Sequence, residues 1–149
     1  KPYYHNYNKT IVKRPKVYFY DTGLVCSFLR ISNATQLENH PLKGSIFETM
    51  VVIELVKKFT NIGITPPLFY WRDKTGHEID VVVDNNGKLT PIEIKSGKTI
   101  NTDFFKHLKY WNNLSKNDNS LIIYSGNQEQ QRSDGAVVTN WQNINHINI

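Results

Sequence analysis

One cysteine, Cys26, and one methionine, Met50, stand among 149 residues. A lone cysteine closes no internal disulfide, so stability is expected from a hydrophobic core and the expected compartment is a reducing cytoplasm. Cys26 lies in the apolar run Leu24, Val25, Phe28, Leu29 and is expected to be core. No apolar stretch approaches the ~20 residues that cross a bilayer, and no signal-peptide pattern opens the chain, so no membrane role is expected. The methionine is internal, and the chain reads as a piece of a longer protein. Acid is also missing at the start: residues 1 to 20 hold Lys1, Lys9, Lys13, Arg14 and Lys16 with no acid before Asp21, whereas the rest of the chain carries 13 basic and 13 acidic side chains. The net charge of +5 therefore belongs to the N-terminal segment. His5, His40, His77, His107 and His146 show no zinc spacing and have no cysteine partners, so each is expected to face solvent.

A hydrophobic share of 39%, with 12% aromatic, is enough for one globular domain and too much for a disordered chain. Residues 1–15 are expected to be a basic tail or linker from an upstream domain, and residues 16–149 the folded domain. Tyr3, Tyr4, His5 and Tyr7 interleave with the cations of the tail; such a segment can follow phosphates and stack on bases. A linker packed on an upstream domain is the plainer alternative.

Lys16-Val17-Tyr18-Phe19-Tyr20 is β-prone. Asp21 or Thr22 can cap a short helix over Gly23–Arg30, residues 32–43 read as a loop, and a helix is expected over Ile46–Phe59, closed by Asn61 and Gly63. Three strands follow, Leu68–Arg72, His77–Val83 and Leu89–Lys95, joined by turns at Asp73–Gly76 and Asp84–Gly87. A helix over Thr102–Leu114 buries Phe104, Phe105, Leu108 and Trp111 at helical spacing. Ser120–Tyr124 and Ala136–Thr139 read as further strands, separated by the polar stretch 126–135. This order implies an α/β fold with a mixed sheet flanked by helices.

Several carboxylates do not suit a simple core. At ~100° per residue, Glu48 projects into the apolar arc of Val51, Val52, Leu55 and Phe59. Its neighbours one turn away, Gly44, Ser45, Val51 and Val52, supply no cation, and an unpaired carboxylate in a core costs several kcal/mol. Glu54 is the contrast, an ordinary surface acid with Lys58 four residues on. In the strands, period-2 alternation sets Ile79, Val81 and Val83 on one face and Glu78, Asp80 and Val82 on the other, with Pro91, Glu93 and Lys95 sharing one face of the next strand. A turn centred on Asn85-Asn86 pairs Val83 with Lys88 and Asp80 with Pro91, which makes Asp80 and Glu93 diagonal neighbours with Lys95 one step along. Clustered carboxylates repel unless a cation intervenes, and a hard divalent ion such as Mg²⁺ or Mn²⁺ takes oxygen ligands of this kind. A salt-bridged sheet face, Glu93 with Lys95 or Glu78 with Arg72, is the competing explanation.

Asp80 followed by Glu93-Ile94-Lys95, with Glu48 as an upstream helical acid, resembles the PD-(D/E)XK nuclease signature. The ordered blocks Gly44-Ser45-Ile46-Phe47-Glu48, Tyr70-Trp71-Arg72-Asp73, Gly76-His77-Glu78-Ile79-Asp80 and Pro91-Ile92-Glu93-Ile94-Lys95-Ser96-Gly97 look like the domain of unknown function that follows the ATPase module of many prokaryotic AAA-type ATPases. Lys16 to Leu24 is similar to that family's opening segment, and the likeness runs over about residues 14–112. The resemblance implies a restriction-endonuclease-like core. It implies Asp80 and Glu93 as ligands of Mg²⁺ or Mn²⁺ with the Ile94 carbonyl, Glu48 as an outer ligand or orienting acid, and Lys95 as the group acting on water or phosphate. It also implies an upstream ATPase domain and DNA as a partner. Candidate nucleic-acid contacts are Arg72, Lys98, Lys106, Lys13, Arg14 and Lys16. Ile79 stands where the signature has proline, and Lys106, His107 and Tyr110 stand where nuclease relatives often carry Gln and Tyr. Ser96-Gly97-Lys98-Thr99 is no P-loop, because Ile92 occupies the place of the first glycine. The expected function is a Mg²⁺-dependent DNA phosphodiesterase domain of an ATPase; the alternative is a non-catalytic module that binds DNA or protein for it.

Overall fold

The structure is a computed structural model that describes residues 1–3, 12 and 14–149. Tyr4, His5, Tyr7, Lys9 and Lys13 of the expected basic, aromatic tail lie outside the described residues. Asp21 caps α1 (Thr22–Phe28) by accepting the Leu24 N–H. Asn33 caps a short α2 (Ala34–Glu38) in the same way through Gln36, so the segment expected to be a loop carries one helix. The long α3 (Lys43–Thr60) begins three residues before the expected start, without a side-chain cap.

β1 (Leu68–Arg72), β2 (Glu78–Asn85) and β3 (Lys88–Lys95) form an antiparallel meander. A 3-10 turn, Thr102–Phe105, then leads into α4 (Lys106–Ser115), where one continuous helix was expected. The chain continues through β4 (Ser120–Tyr124), the two-residue β5 (Gln130–Gln131) and β6 (Ala136–Asn140). The sheet order is β1-β2-β3-β4-β6-β5, with β3, β4 and β6 mutually parallel and the other pairings antiparallel. The crossover from β3 to β4 through α4 is what lets two neighbouring strands run parallel. The α/β class and the mixed sheet are as expected.

One face of the sheet packs Val81, Val83, Ile92 and Ile123 against Val51, Leu55 and Phe59 of α3. The other packs Trp71, Ile79, Val82 and Ile122 against Leu108 and Trp111 of α4. Three expectations need correction here. The run Leu24–Leu29 is not core: Leu24 is 49% exposed and Phe28 74%, and Cys26 is half-buried. Lys16 to Phe19 lie outside the sheet, because the side chains of Lys16 and Tyr18 turn inward to α3 instead of pairing along an edge. Finally, Glu54 pairs with Lys57 at 2.7 Å, while Lys58 reaches the Asn145 carbonyl at 3.0 Å.

The β2–β3 register also differs from the expected one. Val83 faces Thr90 and Asn85 faces Lys88, so the two-residue turn is Asn86-Gly87, both with positive φ (54° and 89°). The shift is by two residues, and the paired ladder runs only as far as Val81 opposite Ile92, with Asp80 just beyond it. Against β1, Phe69 faces Val82 and Trp71 faces Ile79, so two steps of β1 oppose three of β2. The extra residue forms a bulge at Asp80-Val81 opposite Tyr70. It breaks strict alternation, so Ile79 packs with Val82 on the α4 face and not, as expected, with Val81 and Val83, which lie on the α3 face.

Gly126 follows β4 where a Cβ would overlap the Lys98 carbonyl oxygen and the Tyr124 ring, whereas one at Gly87 would meet nothing within 4 Å. Gly126→Ala is therefore expected to cost roughly 2 kcal/mol or more in urea denaturation, through forced displacement of packed atoms. Gly87→Ala should cost only about 1 kcal/mol, from its positive φ.

Candidate functional site

The sheet and α3 converge on a group of carboxylates that no single element explains. Glu93 is 2% exposed on β3, and Asp80, with 15% of its side chain exposed, lies at the bulge of β2. The Ile94 N–H donates to Asp80 Oδ2 at 2.9 Å, fixing that carboxylate against the β3 backbone. Lys95 Nζ donates to Glu93 Oε2 at 2.5 Å. Glu48 comes from the second turn of α3, and its missing cation arrives from 32 residues upstream: Lys16 Nζ and the Tyr18 hydroxyl both donate to Glu48 Oε1, each at 2.9 Å. The same ammonium contacts Glu78 and lies 3.8 Å from Asp80 Oδ1. Arg72 Nε stands 3.6 Å from Glu78 at the rim, with half of its side chain exposed.

The structure thus draws Glu48, Asp80, Glu93 and Lys95 into one electrostatic neighbourhood and adds Lys16, Tyr18 and Glu78 to it. Both salt bridges of the competing explanation, Glu93 with Lys95 and Glu78 with Arg72, are present as well. Among the described residues, no three His, Cys, Asp or Glu side chains are gathered as a ready metal cage. Glu48 is instead held by an ammonium and a phenol.

Burial first, and then the Glu48 charge, push the Asp80 carboxyl above the usual carboxylate range; Lys16, Lys95 and the Ile94 N–H only partly offset them. Burial and the Asp80 charge push Glu93 up in the same way, with Lys95 opposing. For Lys16 the balance is reversed: burial would lower it, but the charges of Glu48 and Asp80 and the Glu78 bond hold it well above the ordinary lysine value. Lys95 is raised likewise, with Glu93 and Asp80 outweighing burial. Two ammoniums therefore leave the Asp80–Glu93 pair short of positive charge.

On the α4 side the turn before β2 carries a buried Asp73, 2% exposed, which was read in the sequence only as part of a turn. Its carboxylate accepts the N–H and hydroxyl of Thr75 and the N–H of His77, at 2.9, 2.7 and 3.0 Å; burial alone would raise its pKa, but these bonds hold it below the usual carboxylate range. The Tyr110 hydroxyl reaches it at 3.3 Å, and the Tyr110 ring stacks on His77 at 3.6 Å. His107 accepts the Glu78 N–H at 3.4 Å, and burial with the Lys95 charge lowers its proton affinity. This network supports the strand that carries Glu78 and Asp80. Contrary to expectation, His40, His77 and His107 are half-buried, with only His146 exposed among the described histidines.

The candidate nucleic-acid contacts separate into two groups. Arg14, Lys16 and Arg72, joined by Lys74, line one open cleft of about 540 Å³ beside the acidic centre. Lys98 pairs instead with Glu38 at 3.6 Å, and Lys106 is exposed on α4. Lys13 lies outside the described residues.

A raised carboxyl binds a proton in the folded state that the unfolded chain has already lost. Its stabilising contribution is full below about pH 4 and declines as pH rises through the raised value. His107, lowered, contributes in the opposite direction, so the comparison is made against Asp80→Asn, which keeps His107. Without divalent ions, wild-type stability relative to Asp80→Asn should fall by on the order of 1–2 kcal/mol between about pH 5 and 8. Parallel thermal-melt curves for the two chains across that window would refute the charge imbalance.

Residues 43–144, from the start of α3 to the turn after β6, match the family described as Domain of unknown function (DUF4143). An uncharacterized protein of Mycobacterium bovis and another of Mycobacterium tuberculosis are each 33% identical over 98 residues, which is 66% of this chain and 21% of theirs. The chain spans about a fifth of the length of these curated relatives. No solved structure matches. The family match includes Glu48, Glu78, Asp80, Glu93 and Lys95, while Lys16 precedes it. With well over half of its residues inside that match, the chain belongs to the DUF4143 family.

Proposed function

We propose that this domain is a PD-(D/E)XK-type phosphodiesterase with a restriction-endonuclease-like core, acting on DNA with Mg²⁺ or Mn²⁺. The observation that carries the reading is the buried Glu93 with Lys95 on it, beside a half-buried Asp80 held by the Ile94 N–H. The donor set fits a hard divalent ion: two carboxylates short of positive charge lie beside a strand whose Ile94 carbonyl is a further oxygen donor. Mg²⁺ commonly binds through one or two carboxylates and keeps several waters, so a closed cage of three acids is not required. Bound between Asp80 and Glu93, such an ion would supply Lewis acidity toward a water and a phosphate oxygen.

The chain's own residues have definable parts. Lys95 holds a proton on an ammonium at Glu93, where it can bind a phosphate oxygen and stabilise charge that develops there. Asp80 is oriented by the Ile94 N–H on Oδ2, while its Oδ1 lies 3.8 Å from the Lys16 ammonium. Arg14, Arg72 and Lys74 line the neighbouring cleft, where a phosphate backbone can be followed without base recognition. The much greater length of the relatives is consistent with an upstream ATPase module and a cytoplasmic enzyme assembly. Among the described residues no helix is long and apolar enough to cross a membrane. A second reading, a non-catalytic DNA- or protein-binding module, draws support from the ion pairs Lys16–Glu48 and Lys95–Glu93, which partly neutralise the centre without any ion.

Millimolar Mg²⁺ or Mn²⁺ should raise the melting temperature by several degrees, as expected for a ligand at ~100-fold its Kd, which adds about 2.7 kcal/mol. Asp80→Asn should abolish most of that rise. Lys95→Met should retain it yet lose cleavage of a DNA duplex or single strand. A wild-type melting curve indifferent to both ions would leave only the binding module.

The basic cleft makes a separate prediction. Arg14→Ala, Arg72→Ala and Lys74→Ala should each weaken DNA binding at low salt and flatten the dependence of log K on log salt by about one unit. Unchanged slopes would remove the cleft from the nucleic-acid path.

A further inference from the structure

Lys16 occupies the acidic centre in a way that its sequence position did not suggest. Its ammonium bridges Glu48 at 2.9 Å, Glu78, and Asp80 at 3.8 Å, and it lies 5.9 Å from the Tyr70 ring centroid. The segment that carries it is tied down on both sides. Before it, the Tyr70 hydroxyl donates to the Arg14 carbonyl and the Val12 N–H donates to the Arg72 carbonyl at 2.8 Å. After it, the Tyr18 hydroxyl is bonded to Glu48, and Tyr18 packs on the α3-side core. Lys16 is therefore built into the centre, as a loosely placed surface lysine would not be.

The charges divide the centre into two halves that share Asp80. Glu48 and Glu78 lie around Lys16, while Glu93 lies with Lys95 on the other side. Four carboxylates, Glu48, Glu78, Asp80 and Glu93, face Lys16, Lys95 and, at the rim, Arg72, so the centre keeps a net negative charge when all four are ionised. Many phosphodiesterases use two divalent ions about 4 Å apart that share a carboxylate, one acting on each side of the phosphate.

We propose that Lys16 is a positioning residue of this centre. It is the resident cation of the Glu48–Glu78–Asp80 half, leaving Asp80 and Glu93 to a single divalent ion, so the domain operates with one ion and one lysine. The inference rests on the reading that a divalent ion binds at Asp80 and Glu93. It explains why Glu48 sits in an apolar arc without a helical partner: its counterion is supplied by the segment that enters the domain, which makes the site complete only when residues 14–18 are docked.

The test is the stoichiometry of Mn²⁺ binding to the 149-residue chain, measured by calorimetry on wild type, Lys16→Met and Lys16→Arg. One ion is expected for wild type and for Lys16→Arg, and two for Lys16→Met, the second occupying the place the ammonium leaves. A single ion bound with equal affinity by wild type and Lys16→Met would overturn the proposal while leaving the Asp80–Glu93 site standing. So would two ions bound by wild type. No ion in wild type but one in Lys16→Met would mean that the lysine blocks the site, and would also overturn shared occupancy. No binding by any of the three chains would sink the metal site itself and the proposal with it. Should Lys16→Met fail to fold, a Mg²⁺ titration of wild type followed by NMR decides the matter. The Ile94 amide should shift with saturation while the Lys16 Cε signal holds its place; release of Lys16 toward the shift of a free lysine would overturn the proposal.

Discussion

Two carboxylates, Glu93 buried on β3 and Asp80 half-buried at the bulge of β2, have too little positive charge around them, and the local architecture is arranged about that deficit. Burial alone raises the cost of ionising either group, and each charge raises it further for the other. A core with no other demand on it would place valine or isoleucine at both positions, as the neighbouring Val81, Ile92 and Ile94 do. The bulge at Asp80-Val81 has the same logic. It interrupts a ladder that would otherwise be regular and turns one acid toward β3, where the Ile94 N–H receives it.

The N-terminal segment joins the fold through the same deficit. Lys16, from a basic stretch with no acid of its own, finds its counterions in α3 and β2 and is the point of attachment. The attachment also covers an edge. Pro2 forms a parallel bridge with Tyr70, and the Val12 N–H bonds the Arg72 carbonyl, so the outer side of β1 is partly satisfied by the chain's own beginning. Electrostatics and edge protection thus place these residues together.

The acidic centre and the cleft of Arg14, Arg72 and Lys74 lie next to each other, with opposite signs. That juxtaposition suits a ligand that is itself an anion and arrives with, or meets, a cation. A phosphodiester beside a divalent ion is such a ligand, which is why the proposed activity and the proposed nucleic-acid path depend on the same few side chains. Asp73, with its four donors from Thr75, His77 and Tyr110, stiffens the turn between the two regions.

Much of this was legible in residue order. Hydrophobic periodicity located α3, the meander, α4 and β4, because each must bury one face and the burial period reports the element. The mismatch of Glu48 with its apolar arc, and the nearness of Asp80 to Glu93 and Lys95 on adjacent strands, marked the site for the same reason: a charge among apolar neighbours is conspicuous in one dimension. What residue order did not reveal came from contacts between distant segments. The counterion of Glu48 lies 32 residues upstream, and no local spacing could pair them. The β2–β3 register depended on whether Asn85-Asn86 or Asn86-Gly87 formed the turn, a choice of positive-φ residues that the paired strands settle together. The apolar run Leu24–Leu29 remains largely exposed because apolarity alone does not say which side chains find a surface to cover. Sequence by itself determined the elements and the anomalous charges, since both are properties of local pattern. Only the tertiary structure decided which cation answers which carboxylate, because Coulomb energy depends on distance through space, and the chain sets that distance by folding.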